Sequence, residues 1–589
     1  MQSIPSKVRA LYIFILVATL LTSGCGEVTG SPTMPPATAP TMTPDLPLIT
    51  VAAPDRTEVP RYEPLELSVE LKAQYTNPYD LRQVSLDGIF TGPDGTQMKV
   101  PGFWDGEAAW RFRFNPSQVG VWNYSIAVKD ARGTSLPYDG KFTVTPSNLH
   151  GWLQVGSWVN PTYSSHYLVY QDGTAFYGVG HCDALNILVD GFSADQGVGL
   201  FNEMRKDGEN YLVWWPLYTN SPIAGSYDNY SLPSMKVIDM VVADAQKKGI
   251  FLVFTIWDHP ELRDDTHPGT WGNGNWSKNG FNQLGDLSAF FTSAEAWAWQ
   301  ENFYRYMIAR WGYSPAIGMW QTVSEINGTN AYDQADPWHK KVNDYFVAND
   351  PYRHPTTASK SGGGQDIPWP EGHKVMDAPQ VHIYDPLKNN LIGAASVMAQ
   401  WTSTMWNEVA RPNWVGEFGV QINSYSDYPE LFHNSIWAAT ASGAAMEPAQ
   451  WNFSSSSLMP QISADNGRLA QFMAGMPLAQ WNPTPLQISS RDPQVRGWGV
   501  AGRAGGLFWV QDFSLEGKTI EEVRKGQIVR KGVLVDLLGM AGGTYTIRPY
   551  DTWQGTYLDT FSVTCADGQP CTIALPDFKA DMAFKIESK

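Results

Sequence analysis

The stretch Ile317-Gly-Met-Trp-Gln-Thr-Val-Ser-Glu325 decides the fold prediction, because it is an apolar run that ends abruptly in a carboxylate. A continuous apolar run of this length is typical of a strand buried on both faces, as in a parallel sheet. A second run of the same kind, Asn413-Trp-Val-Gly-Glu417, also ends in a glutamate. The sequence therefore predicts two buried parallel strands that each deliver one glutamate at the carboxyl end.

Further apolar runs alternate with helix patterns between residues 149 and 484, which predicts a parallel sheet with crossover helices. One such helix is expected over Ser234–Lys248, closed by Gly249. We expect eight strands, in chain order Ala175–Gly180, Glu209–Pro216, Phe251–Trp257, the Ile317 stretch, His354–Ser359, Pro379–Tyr384, Asn413–Val415 and Ala444–Phe453. Eight such units predict an α/β fold of the (β/α)₈ TIM-barrel type. A doubly wound open sheet is the alternative, but it predicts a glycine-rich phosphate turn that does not follow the first strand.

Short alternating strands flank the predicted barrel on both sides. Residues 48–148 contain Leu65–Leu71 and Trp110–Phe114, which alternate apolar and polar side chains, and they predict an N-terminal β-sandwich. The same pattern returns over residues 485–589 and predicts a C-terminal β-sandwich. Cys565 and Cys571 flank a turn composition there, so we expect a disulfide between them, whereas Cys182 is expected to be a buried small apolar residue.

The first 47 residues are predicted to be a targeting segment and a tether. A short basic region precedes the apolar segment Leu11–Leu21, which is too short to span a bilayer. Leu21-Thr-Ser-Gly-Cys25 resembles a bacterial lipoprotein signal, which implies cleavage after residue 24 and lipidation of Cys25. An ordinary secretory signal is the alternative. Residues 26–47 are rich in Thr and Pro and predict an extended linker. Either way we expect an extracytoplasmic protein, anchored at the cell surface or membrane by a lipid, or otherwise secreted.

Composition favours a carbohydrate partner over nucleic acid. The chain has 25 Trp and 26 Tyr, whose flat apolar faces suit the apolar faces of sugar rings. The net charge is −17 and no basic cluster follows the N-terminal segment, whereas nucleic-acid binding needs a Lys/Arg footprint.

Polar and aromatic residues gather where the predicted strands end, and active residues of barrel enzymes lie at those ends. The candidates are His181, Asp183, Trp214, Trp215, Trp257, Asp258, His259, Ser324, Glu325, His382, Tyr384, Glu417 and Trp451. Glycosidic cleavage needs one carboxyl group to protonate the leaving oxygen and a second to attack the sugar or to activate water. Two glutamates on facing strands meet that need. No metal-ligand spacing is present among these residues, so neither a metal nor a cofactor is expected.

Three segments resemble clan A glycoside hydrolases: Arg305–Trp320 with the following Glu325, Val381–Pro386, and Val415–Gly419. The segment Phe103–Tyr124 resembles the N-terminal immunoglobulin-like domain of family-5-like bacterial members. The resemblance implies a retaining β-glycosidase without cofactor, acting on a polysaccharide or oligosaccharide.

The resemblance also implies roles for single residues. Glu325 is expected to be the general acid/base and Glu417 the nucleophile, with Tyr384 as a hydrogen-bond donor to Glu417 and Trp451 as the floor of a sugar subsite. The remaining expected substrate-binding residues are His382, Ser324, Trp257, His259, Trp215 and His181. We expect Glu325 to have a raised pKa and Glu417 to stay ionised.

The chain departs from the clan pattern at two positions. Ser324 stands where the clan usually has Asn, and Val213-Trp-Trp215 lacks the Arg that commonly ends the second strand. Two alternatives therefore stay open: an inverting or apiosidase-like hydrolase on the same barrel, and a non-catalytic surface glycan-binding lipoprotein. We expect a monomer in either case.

Overall fold

The structure, a computed structural model, describes residues 45–107, 109–182, 194–264, 274–361, 369–384, 387, 390–419, 428–451 and 459–589. Cys25, its signal segment, nearly all of the linker and Asp183 lie outside these residues. Within the described ranges, no helix is long and apolar enough to cross a membrane.

Parallel strands in the middle of the chain close into a (β/α)₈ barrel. These barrel strands are, from first to eighth, Gly180–Cys182, Tyr211–Trp214, Phe251–Asp258, Ile317–Ser324, Thr356–Thr357, Gln380–Ile383, Trp414–Phe418 and residues 446–451. The first five form one sheet in chain order, and the sixth pairs with the seventh. The N–H of Ala378 donates to the carbonyl of Thr356 across the junction between the fifth and sixth strands (2.9 Å). Parallel bridges from residues 446–451 to the seventh and first strands close the ring.

Helices follow the strands and form the outer layer. The principal ones are Ala194–Lys206, Leu232–Lys248, Ala294–Trp311, Tyr332–Asn349, Pro370–Val375, Ala394–Glu408, Tyr428–Ala441 and Met459–Met473. Shorter helices cover Gly156–Val159, Pro216–Asn220, Leu287–Thr292 and Leu478–Trp481, with 3₁₀ turns at Pro260–Leu262, Trp276–Lys278, Gly280–Leu284 and Ile326–Gly328. Leu232–Lys248 ends as predicted at Gly249, whose left-handed backbone (φ 65°) suits glycine.

The barrel interior is a packed core rather than a pore. One cluster of buried residues takes Cys182, Tyr211, Val253, Met319 and Trp414 from five different strands. A hairpin of Leu153–Val155 and Leu168–Tyr170 adds side chains to the same cluster. It lies next to Gly318, at the start of the fourth strand, and so closes the amino end of the barrel. The functional site must therefore be sought at the opposite, carboxyl end.

Two sheets precede the barrel and enclose one core. The first has the order Leu48–Pro54, Leu65–Lys72, Trp110–Phe114, Phe103–Trp104. The second has the order Glu58–Pro60, Tyr138–Thr145, Gly120–Asp130, Val84–Thr91, Gln97–Pro101, with Gly133–Thr134 paired to Gly120–Asp130. Side chains from both sheets, among them Leu67, Phe112 and Ile126, belong to one buried cluster. The alternation that predicted these strands thus places their apolar face in a shared core.

An antiparallel sheet follows the barrel. Its order is Thr556–Tyr557, Gly543–Asp551, Asp581–Ser588, Gly505–Asp512, Val495–Ala501, Thr484–Ser490, Leu534–Leu538, Cys571–Ala574, and Phe561–Cys565 pairs with Gly543–Asp551. The strands Val529–Arg530 and Phe578–Lys579 pair separately, and the helix is Ile520–Gly526. The predicted disulfide between Cys565 and Cys571 is present, and Cys182 is a buried free thiol. Residues 46–589 form one compact unit.

Candidate active site

Two glutamates meet at the carboxyl end of the barrel. Glu325 directly follows the fourth strand, and Glu417 lies near the end of the seventh. His382 is the register partner of Glu417 on the sixth strand, and Tyr384 follows that strand. One carboxylate oxygen of each glutamate and a ring nitrogen of His382 all lie within 4.8 Å of one another. The structure therefore brings together the two glutamates predicted to be catalytic and two of the residues predicted to bind substrate, His382 and Tyr384.

Hydrogen bonds connect this group. Nδ1 of His382 lies 2.8 Å from Oε1 of Glu325 and 3.4 Å from Oε2 of Glu417. The hydroxyl of Tyr384 donates to Oε1 of Glu417. Both glutamates are buried, with exposed fractions of 5% for Glu325 and 4% for Glu417. Water is thus largely excluded from two carboxyl groups, which strengthens their interaction with each other and with the imidazole.

Glu325 is held in an unusual backbone conformation by the fifth strand. Its φ of 54° and ψ of 55° are left-handed, a region that L-residues other than Asn and Asp seldom adopt. Its N–H donates to Oγ of Ser359 (3.0 Å), and the N–H of Ile326 donates to the Ser359 carbonyl (3.0 Å). Sequence reasoning missed Ser359 as a site residue, although it ends the predicted fifth strand and the strand-end rule applied to it as well.

The protonation of the two glutamates is the reverse of the expectation from sequence. Burial raises the pKa of Glu325, but the hydrogen bond and charge of His382, with His259 and Arg263, bring it below its ordinary value. Burial also raises the pKa of Glu417; the charge of His382 opposes this and the charge of Glu325 adds to it, giving about 7. Both carboxyls are buried, so burial does not explain the difference between their pKa shifts. His382 contributes to that difference, because its Nδ1 lies closer to Glu325 than to Glu417.

The pKa of His382 itself is raised. Burial alone would lower it, but the charge of Glu417 and the hydrogen bond to Glu325 outweigh burial. His259 behaves differently, because burial lowers its pKa to about 4 despite the charge of Glu325. Nε2 of His259 lies 3.6 Å from Oε2 of Glu325. The surroundings of the two glutamates therefore favour the charged form of the His382 imidazole and the neutral form of the His259 imidazole.

Aromatic rings from three other strand ends adjoin the glutamates. Trp215, after the second strand, packs against Trp451 of the eighth strand with ring centroids 4.9 Å apart. The Trp215 ring is also edge-on to His259 (5.9 Å) and to Tyr218 (6.2 Å). Trp451 is half-buried, so part of its ring faces solvent at the mouth. Trp215, Trp451 and His259 therefore lie where the sequence predicted them, and they offer apolar faces to a ligand.

The structure does not bring three other predicted substrate-binding residues, Trp257, His181 and Ser324, into contact with the two glutamates in any described hydrogen bond or ion pair. Trp257 is fully buried against the helical layer, where its indole N–H donates to the hydroxyl of Tyr304 (2.8 Å). His181 is 1% exposed and its Nδ1 contacts Glu209 (2.5 Å), because its strand neighbour Cys182 takes the inward position.

Ser324 is the third of these residues. Its exposed fraction is 0%, and its hydroxyl has no hydrogen-bond partner among the described residues. It also pairs in register with Asp258, whose carboxyl group is buried as well. The hydroxyl of Ser324 is therefore buried within the strand, and substrate contact by Ser324 stays a prediction.

Several solved structures share the fold of this barrel. Residues 58–129 match a family described as a domain of unknown function, DUF5060. No curated protein matches the chain. A provisionally assigned glycoside hydrolase of Bacteroides vulgatus ATCC 8482 is 16% identical over 91% of this chain and 100% of its own length, with a TM-score of 0.60. A family 5 glycoside hydrolase of the same organism is 11% identical over 74% of this chain and 94% of its own, with a TM-score of 0.50.

The chain has the TIM-barrel fold of these glycoside hydrolases. A third glycoside hydrolase, 12% identical, aligns with 75% of this chain and 97% of its own at a TM-score of 0.50. At such identities the likeness concerns the fold alone, and the chemistry must be argued from the side chains. Within a barrel of this type, glutamates at the carboxyl ends of the fourth and seventh strands stand where reacting groups lie.

Glu325, His382 and Glu417 also have the spacing that a metal ion could bridge. Their mutual hydrogen bonds and the bond from Tyr384 account for their arrangement as it stands. The expectation that no metal takes part stays a prediction.

Proposed function

We propose that the chain is a retaining β-glycoside hydrolase that acts on a polysaccharide or oligosaccharide by double displacement. Glu417 attacks the anomeric carbon, and Glu325 protonates the leaving oxygen and then activates water. The observation that carries this proposal is the buried pair of Glu325 and Glu417 at two strand ends, joined by His382 and supported by Tyr384.

The separation of the pair supports retention over inversion. Retaining enzymes have carboxyl groups about 5–5.5 Å apart, and inverting enzymes need about 6.5–9.5 Å to admit a water molecule between the carboxylate and the sugar. Oxygens of Glu325 and Glu417 lie within 4.8 Å of each other. So close an approach of the two carboxyl groups fits the shorter range and favours retention over the inverting alternative.

The hydrogen bond from Tyr384 suits a nucleophile that alternates between carboxylate and ester. It orients one oxygen of Glu417, so that the other can approach the sugar. The rings of Trp215 and Trp451 supply apolar faces beside the glutamates, and stacking on such faces would hold the sugar ring. We propose His259 as a further contact to the substrate, since it packs between Trp215 and Glu325.

The remaining parts of the proposal concern location and architecture. A disulfide between Cys565 and Cys571 suits an oxidising compartment outside the cytoplasm. We propose that lipidated Cys25 tethers a monomeric enzyme there; the variant Cys25→Ala should leave the membrane fraction on cell fractionation. The sheets before and after the barrel are proposed to be β-sandwiches, the first of them immunoglobulin-like.

Hydrolysis of aryl β-glycosides and polysaccharides by the chain starting after Cys25 tests the activity. Glu417→Ala should lose more than about 1,000-fold in kcat/KM, because a nucleophile is removed. Azide should restore cleavage in this variant and give a glycosyl azide of inverted configuration.

Glu447→Gln is the matched control for this experiment. Glu447 is also fully buried, its Oε2 accepts a hydrogen bond from Gly180, and burial raises its pKa well above the ordinary value. Glutamine preserves that neutral group, so activity should stay within about twofold. If the wild type cleaves nothing, yet a glycan binds equally to wild type and Glu417→Ala, the protein is a glycan-binding relative instead.

A further inference from the structure

His382 contacts both glutamates through the same nitrogen. Nδ1 lies 2.8 Å from Oε1 of Glu325 and 3.4 Å from Oε2 of Glu417. The ring is 1% exposed, so bulk water does not compete for this nitrogen. A single N–H cannot donate fully to two acceptors at once, and here it points chiefly to Glu325. The imidazole is thus the one described group in hydrogen-bond or ion-pair contact with both carboxyls.

The pKa shifts of the two glutamates oppose the proton distribution that the proposed reaction needs. Attack requires Glu417 as a carboxylate and Glu325 as a carboxylic acid. Burial and the charge of Glu325 instead raise the pKa of Glu417 to about 7, whereas His382 holds Glu325 below its ordinary pKa. Transfer of a proton from Glu417 to Glu325 before the glycosidic bond breaks would give the state that attack requires.

The other groups that face the pair offer no equivalent route. Tyr384 donates to Glu417, but its pKa is raised well above the ordinary value, by burial and then by the charges of Glu417 and Glu325. His259 lies 3.6 Å from Glu325 and has its described contacts on that side of the pair. The charge of Arg263 acts on Glu325, and an arginine does not release its proton.

We propose that Nδ1 of His382 exchanges a proton between the two glutamates, an inference that rests on the proposed function. The Nδ1–H bond breaks as its proton moves to Oε1 of Glu325, forming an O–H bond. The O–H bond of Glu417 then breaks as its proton moves from Oε2 to the vacated Nδ1. His382 is an imidazolium before and after, Glu325 becomes the acid and Glu417 the nucleophile. The reverse exchange resets the pair after Glu325 has taken a proton from water.

His382→Asn separates this role from simple positioning. Asparagine keeps a short N–H donor for Glu325 but cannot accept a proton. We expect kcat/KM to fall about 100- to 1,000-fold on a phenyl glycoside, whose leaving group needs protonation, and less than about 10-fold on a 2,4-dinitrophenyl glycoside, which needs none. Glu325→Gln should show the same dependence on the leaving group. The double variant should lose little more than either single one.

A further measurement keeps the proposal open to refutation, even if His382→Asn folds poorly. Added imidazole should restore phenyl glycoside cleavage in His382→Gly. The absence of this rescue, or a His382→Asn variant with the wild-type dependence on leaving group, overturns the exchange while leaving the glycosidase proposal intact. Failure of the wild type on every glycoside overturns both.

Discussion

Glu325 holds its carboxyl group in place through a strained backbone. A left-handed conformation costs an L-residue about 1–2 kcal/mol, so the surrounding contacts must enforce it. Ser359 provides two of them, since its hydroxyl and its carbonyl accept the N–H groups of Glu325 and Ile326. The neighbouring Ser324 provides none among the described residues. The serine that holds the backbone of Glu325 therefore follows the fifth strand and is not the one beside the glutamate in sequence.

Replacing each serine by alanine should show that Ser359 contributes to activity and that Ser324 does not. Ser324→Ala should leave kcat/KM within about twofold and raise the free energy of unfolding by about 1 kcal/mol, because an unpaired buried hydroxyl is removed. Ser359→Ala should lower kcat/KM at least about 10-fold, because the N–H of Glu325 loses its acceptor and the carboxyl group is released from its position. Steady-state kinetics and denaturant unfolding measure both effects. A tenfold loss in Ser324→Ala would instead mean that Ser324 contacts the substrate.

At the scale of elements, two barrel helices are tied to the C-terminal sheet by one histidine. His433, on Tyr428–Ala441, contacts Asp465 of Met459–Met473 through Nδ1 (2.9 Å). Its Nε2 contacts Asp581 of the C-terminal sheet (3.1 Å), and Trp553 stacks on the ring at 3.9 Å. These helices follow the seventh and eighth strands, so the C-terminal sheet supports the side of the barrel that carries Glu417.

This contact should make stability fall in alkaline solution. Burial would lower the pKa of His433, but Asp465 and Asp581 raise it to about 9. A folded pKa above the unfolded value of about 6.5 means that the stabilisation is complete below pH 6.5 and is lost as the pH rises through 9. We expect the free energy of unfolding to decrease by about 3 kcal/mol across that window.

Thermal unfolding from pH 6 to pH 10 measures this decrease. His433→Gln should flatten the curve over the window, although it starts from a lower stability. His150→Gln is the matched control, since His150 also pairs with an aspartate, Asp172, but is largely exposed. A wild-type melting temperature that does not change between pH 6.5 and 9 would show that His433 is not charged in the folded protein.

The strand pattern of the sequence predicts part of the candidate site and leaves the rest undetermined. Apolar runs located the strands, and the strand-end rule located Glu325, Glu417, His382 and Tyr384. The rule could not tell that Trp257 packs against the helical layer, because barrel strands are buried on both faces and their sequence lacks the alternation that tells the interior from that layer. The pKa values depend on distances across four strands, and no local pattern encodes them. The contact between His433 and Asp581 joins residues far apart in the chain, so no local sequence pattern predicts it.

For the whole molecule, the N-terminal sheets and the barrel share their cores. Tyr79 and Phe103 of the N-terminal region belong to the cluster between the barrel strands and helices. Tyr313 and Tyr352 of the barrel belong in turn to the core of the N-terminal sheets. Both tyrosines precede strands, the fourth and the fifth, so this contact lies at the amino end of the barrel. The region that includes the domain of unknown function therefore packs away from the glutamates.

Asp239 on Leu232–Lys248 is the centre of this interface. It contacts Arg113 from the N-terminal sheets (2.9 Å) and Arg310 from Ala294–Trp311 (2.6 Å). Arg310 is 1% exposed as a side chain and also pairs with Asp105 of the N-terminal region (2.8 Å). The helices that bear Asp239 and Arg310 lead into the third and fourth strands, which deliver His259 and Glu325. The N-terminal region thus fixes the two helices that position one half of the candidate site.

Removing one charge from this network should destabilise both regions together. Asp239→Asn removes the carboxylate that Arg113 and Arg310 share and leaves each with one carboxylate partner, Glu66 and Asp105. The free energy of unfolding should therefore fall by about 3 kcal/mol. Glu295→Gln is the matched control, because Glu295 and Arg82 cross the same interface but are about half exposed, and such pairs contribute less than about 1 kcal/mol. Calorimetry should show one transition for wild type and for both variants, because a shared core couples the unfolding of the sheets to that of the barrel. If Asp239→Asn instead splits the transition and the barrel keeps its wild-type melting temperature, the N-terminal region is an independent module and the barrel positions Glu325 without it.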